Sequence, residues 1–346
     1  MKRYLVLENG SVFEGQSFGS PAITSGEVVF NTGMTGYTET ISDPSYKGQI
    51  LCQTFPLIGN YGIDENDFES ASPKIEGYVT SEDCKTPSHR SAFSTLHETL
   101  KKHGIPGISG IDTRRLTKIL RAKGTMLGAI SDTPIMPDIK DPNQTDLVSL
   151  VTVKQPIIYQ GTGPTIAVID CGAKENIIRS LLARDARVLR LPASYSADKI
   201  MSYAPQGILI SNGPGDPTMA KSTISAVQQL MEYKIPIFGI CLGMQILALS
   251  MGGATRKLKF GHRGQNHACI DVKTNKCYIT SQNHGYEVNN LPDYAEATML
   301  DINDRTMEGM THKTLPFFAV QFHPEASPGP RDTEFLFDKF IELMKK

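Results

Sequence analysis

The chain has 346 residues, with 35 lysines and arginines against 36 aspartates and glutamates and a formal net charge of −1. That balance gives no basis for holding nucleic acid or an anionic membrane surface, and the length allows two domains with substantial cores. Six scattered cysteines, Cys52, Cys84, Cys171, Cys241, Cys269 and Cys277, lack the density of a disulfide framework and point to a reducing, cytoplasmic setting.

At the amino terminus "MKRYLVLENG" carries too few apolar residues for a secretory segment. "YLVLENGSVFEG" and "GEVVFNT" predict short strands, and a helical stretch is expected around Ser91 to His103. "TRRLTKILRAKG" (Thr113 to Gly124) is basic and reads as a helix with a solvated face. The prolines and glycines of "VKQPIIYQGTGPTIAVID" predict a boundary, giving an amino-terminal domain over 1–153, a linker over 154–164 and a second domain over 165–346.

Past that boundary strands and helices alternate. "TIAVID", "RVLRLP", "GILISN" and "PIFGI" read as strands; "KENIIRSLLARD", "SADKIMSYA" and "TISAVQQLMEY" read as helices. This predicts an α/β carboxy-terminal domain, an open, mostly parallel sheet flanked by helices, beside a smaller amino-terminal domain of strands and helices. Hairpin-like strands are expected between Asn266 and Thr311, followed by "PFFAVQF" and a final amphipathic helix in "DTEFLFDKFIELMKK".

One stretch, Ile235 to Ala254, approaches the ~20 apolar residues of a membrane span. Pro236, Gly239, Gly243, Gly252, Gly253 and Gln245 argue against that, and divide it into a strand over Ile235–Ile240 and a helix from Leu242 to about Met251. No membrane association is expected.

Open parallel sheets bind ligands beyond the carboxyl ends of their strands. Asp170, Cys171 and Gly172 follow the first strand of this domain, Asn212 to Asp216 the third, Cys241 the fourth, and His323, Pro324 and Glu325 follow "FFAVQF". "GICLG" has the small residues of a strand–turn–helix nucleophile elbow, with cysteine at its centre. Cys241 would sit at a helix amino end, where partial positive charge favours thiolate. Leu242 would offer a backbone N–H to an oxyanion, with Gly213 or Gly215 as the second donor. A free cysteine is more often plain core packing, but the flanking glycines and the matched "HPE" favour catalysis, with Glu325 orienting His323 and His323 taking the thiol proton. His262, His267 and Cys269 fit no zinc spacing, so no metal is assigned. No G-x-x-x-x-G-K-[ST] occurs, so nucleotide binding lacks support.

"FGICLGMQIL", "SNGPGDP" and "FHPEASPGP" resemble the three signatures of class I, or triad, glutamine amidotransferases. "GEVVFNTGMTGYTETISDPSYKGQI" and "GISGIDTRRLTKILR" resemble the amino-terminal domain of the small, glutamine-hydrolysing subunits of carbamoyl phosphate synthetase, and the likeness runs over nearly the whole chain. The resemblance implies Cys241 as nucleophile, His323 as general base and acid, and Glu325 as its orienting carboxylate. It places Ser45, Gly213, Gly215, Leu242, Gln245, Asn283, Gly285 and Tyr286 around glutamine; Tyr286 stands where phenylalanine is common after "NHG". It implies L-glutamine as substrate and, as partner, a large synthetase subunit forming a heterodimer, with higher assembly left open. ATP and magnesium would belong to that subunit and no cofactor to this chain, and the product would serve arginine and pyrimidine synthesis. Two alternatives remain at this point: a free-standing cysteine hydrolase, and a non-catalytic interaction subunit that retained the fold.

Overall fold

The computed structural model describes residues 1–345. The chain forms two compact units, Met1–Thr145 and the remainder from Asp146 onward.

In the first unit seven strands close into a barrel, in the order Lys2–Leu7, Val12–Gly19, Pro106–Ser109, Gly77–Val79, Gln49–Gln53, Thr24–Asn31 and Met126–Ser131, which returns to the first. Closure leaves no unpaired strand edge. The core beside it gathers Phe18, Val29, Tyr37, Ile41, Leu51, Tyr78, Leu96 and Leu100. The helix expected around Ser91 to His103 is shorter, Leu96–Lys102, because Ser94 pairs with Ile63 in a β-bridge and Thr95 then caps the helix in a capping box with Glu98. The basic helix Thr113–Lys123 buries Thr113, Leu116 and Leu120 and leaves Arg114, Arg115, Lys118, Arg121 and Lys123 in solvent, as its pattern predicts. Ser45 is buried in a short 3₁₀ turn, Pro44–Tyr46, whose cap Asp43 accepts a hydrogen bond from the Ser45 N–H at 2.9 Å.

In the second unit a ten-stranded sheet runs in the order Ile157–Tyr159, Arg187–Pro192, Thr165–Asp170, Gly207–Ile210, Ile237–Ile240, Phe317–Val320, Met307–His312, Ala295–Asp301, Ala254–Asp271, Cys277–Asn290. The five strands from Arg187–Pro192 to Phe317–Val320 are mutually parallel, and those outside them pair antiparallel. The sheet is therefore mixed, and parallel where the predicted site lies.

Alternate residues of each central strand face opposite layers. Ile166, Val168, Leu209, Phe238 and Ile240 pack on helices Glu175–Leu182 and Phe335–Leu343. Ala167, Ile169, Ile208, Ile210 and Ile237 pack on Ala197–Met201, Lys221–Leu230 and Leu242–Ser250. Each fully buried large aliphatic or aromatic side chain stabilises by about 1.5–3 kcal/mol. The helix Leu242–Ser250 is buried nearly all round and has nine residues. At 1.5 Å per residue it spans about 14 Å, half a bilayer core. Among the described residues no helix is long and apolar enough to cross a membrane.

The chain divides at Thr145/Asp146 rather than through the linker expected over 154–164. Within that stretch Ile157–Tyr159 is the edge strand of the sheet, antiparallel to Arg187–Pro192. Its glycines serve close approach: a Cβ on Gly161 would lie 2.3 Å from the Ala186 carbonyl oxygen. Pattern alone does not distinguish a glycine that frees the chain from one that lets it dock.

Candidate active site

Cys241 joins the strand Ile237–Ile240 to the helix Leu242–Ser250 with φ 54° and ψ −106°. Such a backbone costs a non-glycine residue about 1–3 kcal/mol, so its surroundings must hold it there. Its N–H donates to the Val320 carbonyl at 2.8 Å, and its own carbonyl accepts from Met244 at 3.0 Å. Gly239 and Gly243 are required by the turn: a Cβ on Gly239 would meet the Gly243 oxygen at 2.6 Å, and one on Gly243 the Ile210 oxygen at 2.1 Å. The thiol, buried at the helix amino end, donates to the Asn283 carbonyl at 3.5 Å.

His323 follows the neighbouring parallel strand Phe317–Val320 and is fixed by its N–H donating to the Ser281 carbonyl at 2.9 Å. Its Nδ1 lies 2.6 Å from Glu325 Oε1. Since a carboxylate accepts, Nδ1 carries the proton and Nε2 is left as the basic atom. Nε2 is buried without a hydrogen bond, within electrostatic reach of Cys241. Burial alone would lower the His323 pKa; Glu325 and then Cys241 outweigh it, and the net shift is upward. Burial would raise Glu325, but Lys174 and then His323 hold its carboxyl well below the usual range.

Lys174, absent from the sequence expectations, completes this arrangement. Its ammonium is 3.1 Å from Glu325 Oε1 and also donates to the Ala326 carbonyl, and its N–H donates to Asn212 Oδ1 at 3.1 Å. The Asn176 side chain donates to the Glu325 carbonyl. Ala326 and Ser327 both have positive φ, so the turn after "HPE" is held from several sides. A lysine is almost never buried unless paired, but the pairing is long-range, and "GAKEN" offers no local cue to it.

The other expected residues divide by what they touch. Gly213 packs so closely that a Cβ would stand 2.2 Å from the Cys171 oxygen and 2.7 Å from Leu242 Cδ2, which brings the "NGPGD" loop against the first residue of the Cys241 helix. Gly215 has φ 85° and faces Leu147. Gln245 donates from Nε2 to the Tyr286 carbonyl at 2.9 Å and to Gln321 Oε1 at 3.0 Å, tying the Cys241 helix to the strand that carries Asn283, Gly285 and Tyr286. Asp170 accepts from the N–H groups of Val153, Gly172 and Ala173 and from Arg190, so it organises structure at the sheet edge.

A nucleophile under strain, a histidine with one nitrogen fixed and one bare, and a carboxylate neutralised by lysine suit acyl transfer through a covalent intermediate. Residues 167–343 match the model of the class-I glutamine amidotransferases, and residues 5–130 that of the carbamoyl-phosphate synthase small chain, CPSase domain. The chain is 49% identical over 352 residues to the carbamoyl phosphate synthase pyrimidine-specific small chain of Bacillus subtilis, covering 100% of this chain and 96% of that one. It is 48% identical over 347 residues to the carbamoyl phosphate synthase small chain of Clostridium perfringens, covering 99% of each.

Proposed function

The chain belongs to the carbamoyl phosphate synthase small-chain family, and from that premise we propose how its own residues carry out the work of a glutamine-hydrolysing subunit that supplies ammonia to a large synthetase subunit. The Cys241 sulfur attacks the side-chain carbonyl carbon of glutamine, forming an S–C bond, while His323 Nε2 takes the thiol proton. The tetrahedral oxyanion is met by N–H groups of Leu242 and of the Gly213–Gly215 loop. Collapse breaks the C–N bond, and ammonia leaves with the proton from His323. Water then attacks the thioester, giving its proton to the same nitrogen; glutamate departs and the thiol is restored. Glu325 keeps the imidazole in one tautomer, and Lys174 keeps Glu325 ionised. Gln245, Asn283, Gly285 and Tyr286 line the glutamine site.

Ammonia that escaped into neutral water would become ammonium, which is no nucleophile, so it is delivered to a partner that activates bicarbonate with ATP and magnesium. The pair is a cytoplasmic heterodimer, and carbamoyl phosphate serves arginine or pyrimidine synthesis. The observation that carries this reading is the strained Cys241 at a helix amino end, beside a histidine oriented by a carboxylate. The test is glutamate release by the chain alone, with its large subunit, and with ATP and bicarbonate added. Stimulation at each step is expected; equal rates in all three would favour a free-standing hydrolase, and no release in any would favour a non-catalytic subunit.

A further inference from the structure

The strand that carries Asn283 joins two others in bringing together a polar cluster that the chemistry at Cys241 does not use. His262 lies on Ala254–Asp271, His284 opposite it on Cys277–Asn290, and Glu308 on Met307–His312. Their side chains are 8%, 1% and 0% exposed. Glu308 Oε1 is 3.4 Å from His262 Nδ1 and 3.7 Å from His284 Nε2, and the three ligand atoms all lie within 4.8 Å of one another. Ligands at 2.0–2.1 Å on a tetrahedral ion stand about 3.3–3.4 Å apart.

The outer contacts fix which atoms face inward. His284 Nδ1 is 2.8 Å from the Tyr286 carbonyl, which can only accept, so Nδ1 holds the proton and Nε2 presents a lone pair. His262 Nε2 is 2.8 Å from Asp304 Oδ2, so its Nδ1 is the bare atom. Glu308 Oε2 accepts from Gln282 Nε2 at 2.7 Å, which turns Oε1 toward the two histidines. The Thr306 hydroxyl lies 2.8 Å from Asp304 Oδ1 and 3.3 Å from Glu308 Oε1, so its single proton goes to the aspartate. His262 Nδ1 and His284 Nε2 are buried with no hydrogen-bond partner. Two imidazole nitrogens and a carboxylate oxygen thus converge at a buried place where, among the described residues, the Thr306 hydroxyl, shared with Asp304, is the one protein donor near Oε1. A bound cation would satisfy all three acceptors at once.

We propose that His262 Nδ1, His284 Nε2 and Glu308 Oε1 form a three-ligand site for a divalent transition-metal ion of the zinc class. Two imidazoles and one carboxylate suit such an ion. Each ligand is oriented by a second group, carboxylate, carbonyl or amide, as in metal sites with a built outer shell. The competing arrangement is a His262 imidazolium bridging Asp304 and Glu308. Its Nδ1–H would have to reach Oε1 at 3.4 Å, beyond the 2.7–3.2 Å of a normal bond, and it leaves His284 Nε2 facing an oxygen with no proton between them. A bound ion would tie three strands together and fix His284 between Asn283 and Gly285.

The test reads metal, not turnover, so it stands apart from the glutaminase assignment. Full-length chain stripped with chelator is titrated with zinc against a chromophoric competitor and, separately, with Co²⁺. One zinc per chain is expected, lost in Glu308→Gln and in His262→Gln. Asp304→Asn, at a half-exposed position that leaves the core intact, should weaken binding about 10- to 100-fold. Co²⁺ should give ligand-field bands without thiolate charge transfer. Zinc held no more tightly by the wild type than by Glu308→Gln, unchanged affinity in Asp304→Asn, or a thiolate band abolished by Cys277→Ser would each overturn the site.

Discussion

Cys171 and Cys241 stand in matching places, each one residue past the end of a parallel strand at the same edge of the same sheet, and their surroundings give them opposite characters. Cys171 is fully buried, and its N–H is spent on the Ile169 carbonyl and the Ser211 hydroxyl. Burial, and then the nearby acids Asp170 and Asp146, push its thiol well above the ordinary range. Cys241 has positive φ, opens a helix, and lies beside an imidazole whose far side is held by a carboxylate. Reactivity therefore follows from what a tight turn brings next to the sulfur, and being a cysteine at a strand end is not sufficient.

The sharpest way to break the contrast is to remove each thiol in turn. Cys241→Ala should leave no glutamine-dependent synthesis above background while the complex still uses free ammonia; loss of both in a folded complex would put the ammonia-using chemistry at this site. His323→Asn should lower glutamine turnover about 100- to 10,000-fold, read from steady-state glutamate release; a near-normal rate would remove His323 from proton transfer.

Lys174→Met tests whether the pair behind Cys241 depends on a buried cation. Breaking a buried ion pair costs about 3–5 kcal/mol, measured as a shift in urea midpoint. The sign of its pH dependence is set by Glu325. Its carboxyl is held below its unfolded value, so its contribution is fully present above about pH 4.5 and is lost as pH falls through the folded value. Without Lys174 the folded value rises, and acid unfolding should begin at higher pH than in the wild type. His323 runs the other way: its raised pKa contributes stability present below about pH 6.5 and lost as pH climbs through the folded value. An unchanged acid limb in Lys174→Met would separate Lys174 from Glu325. The smallest effect should come from Cys171→Ala, about 1 kcal/mol of stability and unchanged turnover. In iodoacetamide labelling followed by peptide mass spectrometry, Cys241 should react roughly tenfold or more faster than Cys171; comparable rates would erase the distinction.

Much of this was legible in the sequence because it is local. The strands Thr165–Asp170 and Arg187–Pro192 span the segments "TIAVID" and "RVLRLP" that the sequence marks as strands, and "GICLG" announced its turn because only small residues fit two positions from Cys241, as the 2.6 Å and 2.1 Å approaches at Gly239 and Gly243 require. What the tertiary structure decided is long-range. Glycines at 161 and 163 read as linker, yet they dock an edge strand onto the sheet because a bare backbone can lie against Asp185 and Ala186. Seven short strands gave no sign of closing into a barrel, since closure depends on pairings such as Lys2–Leu7 with Met126–Ser131, more than a hundred residues apart. Lys174 meets Glu325 across about 150 residues, and His262, His284 and Glu308 converge from three strands. Periodicity and turn chemistry act over a few residues, whereas burying a charge or aiming a lone pair depends on which distant groups the folded sheet brings within a few ångströms.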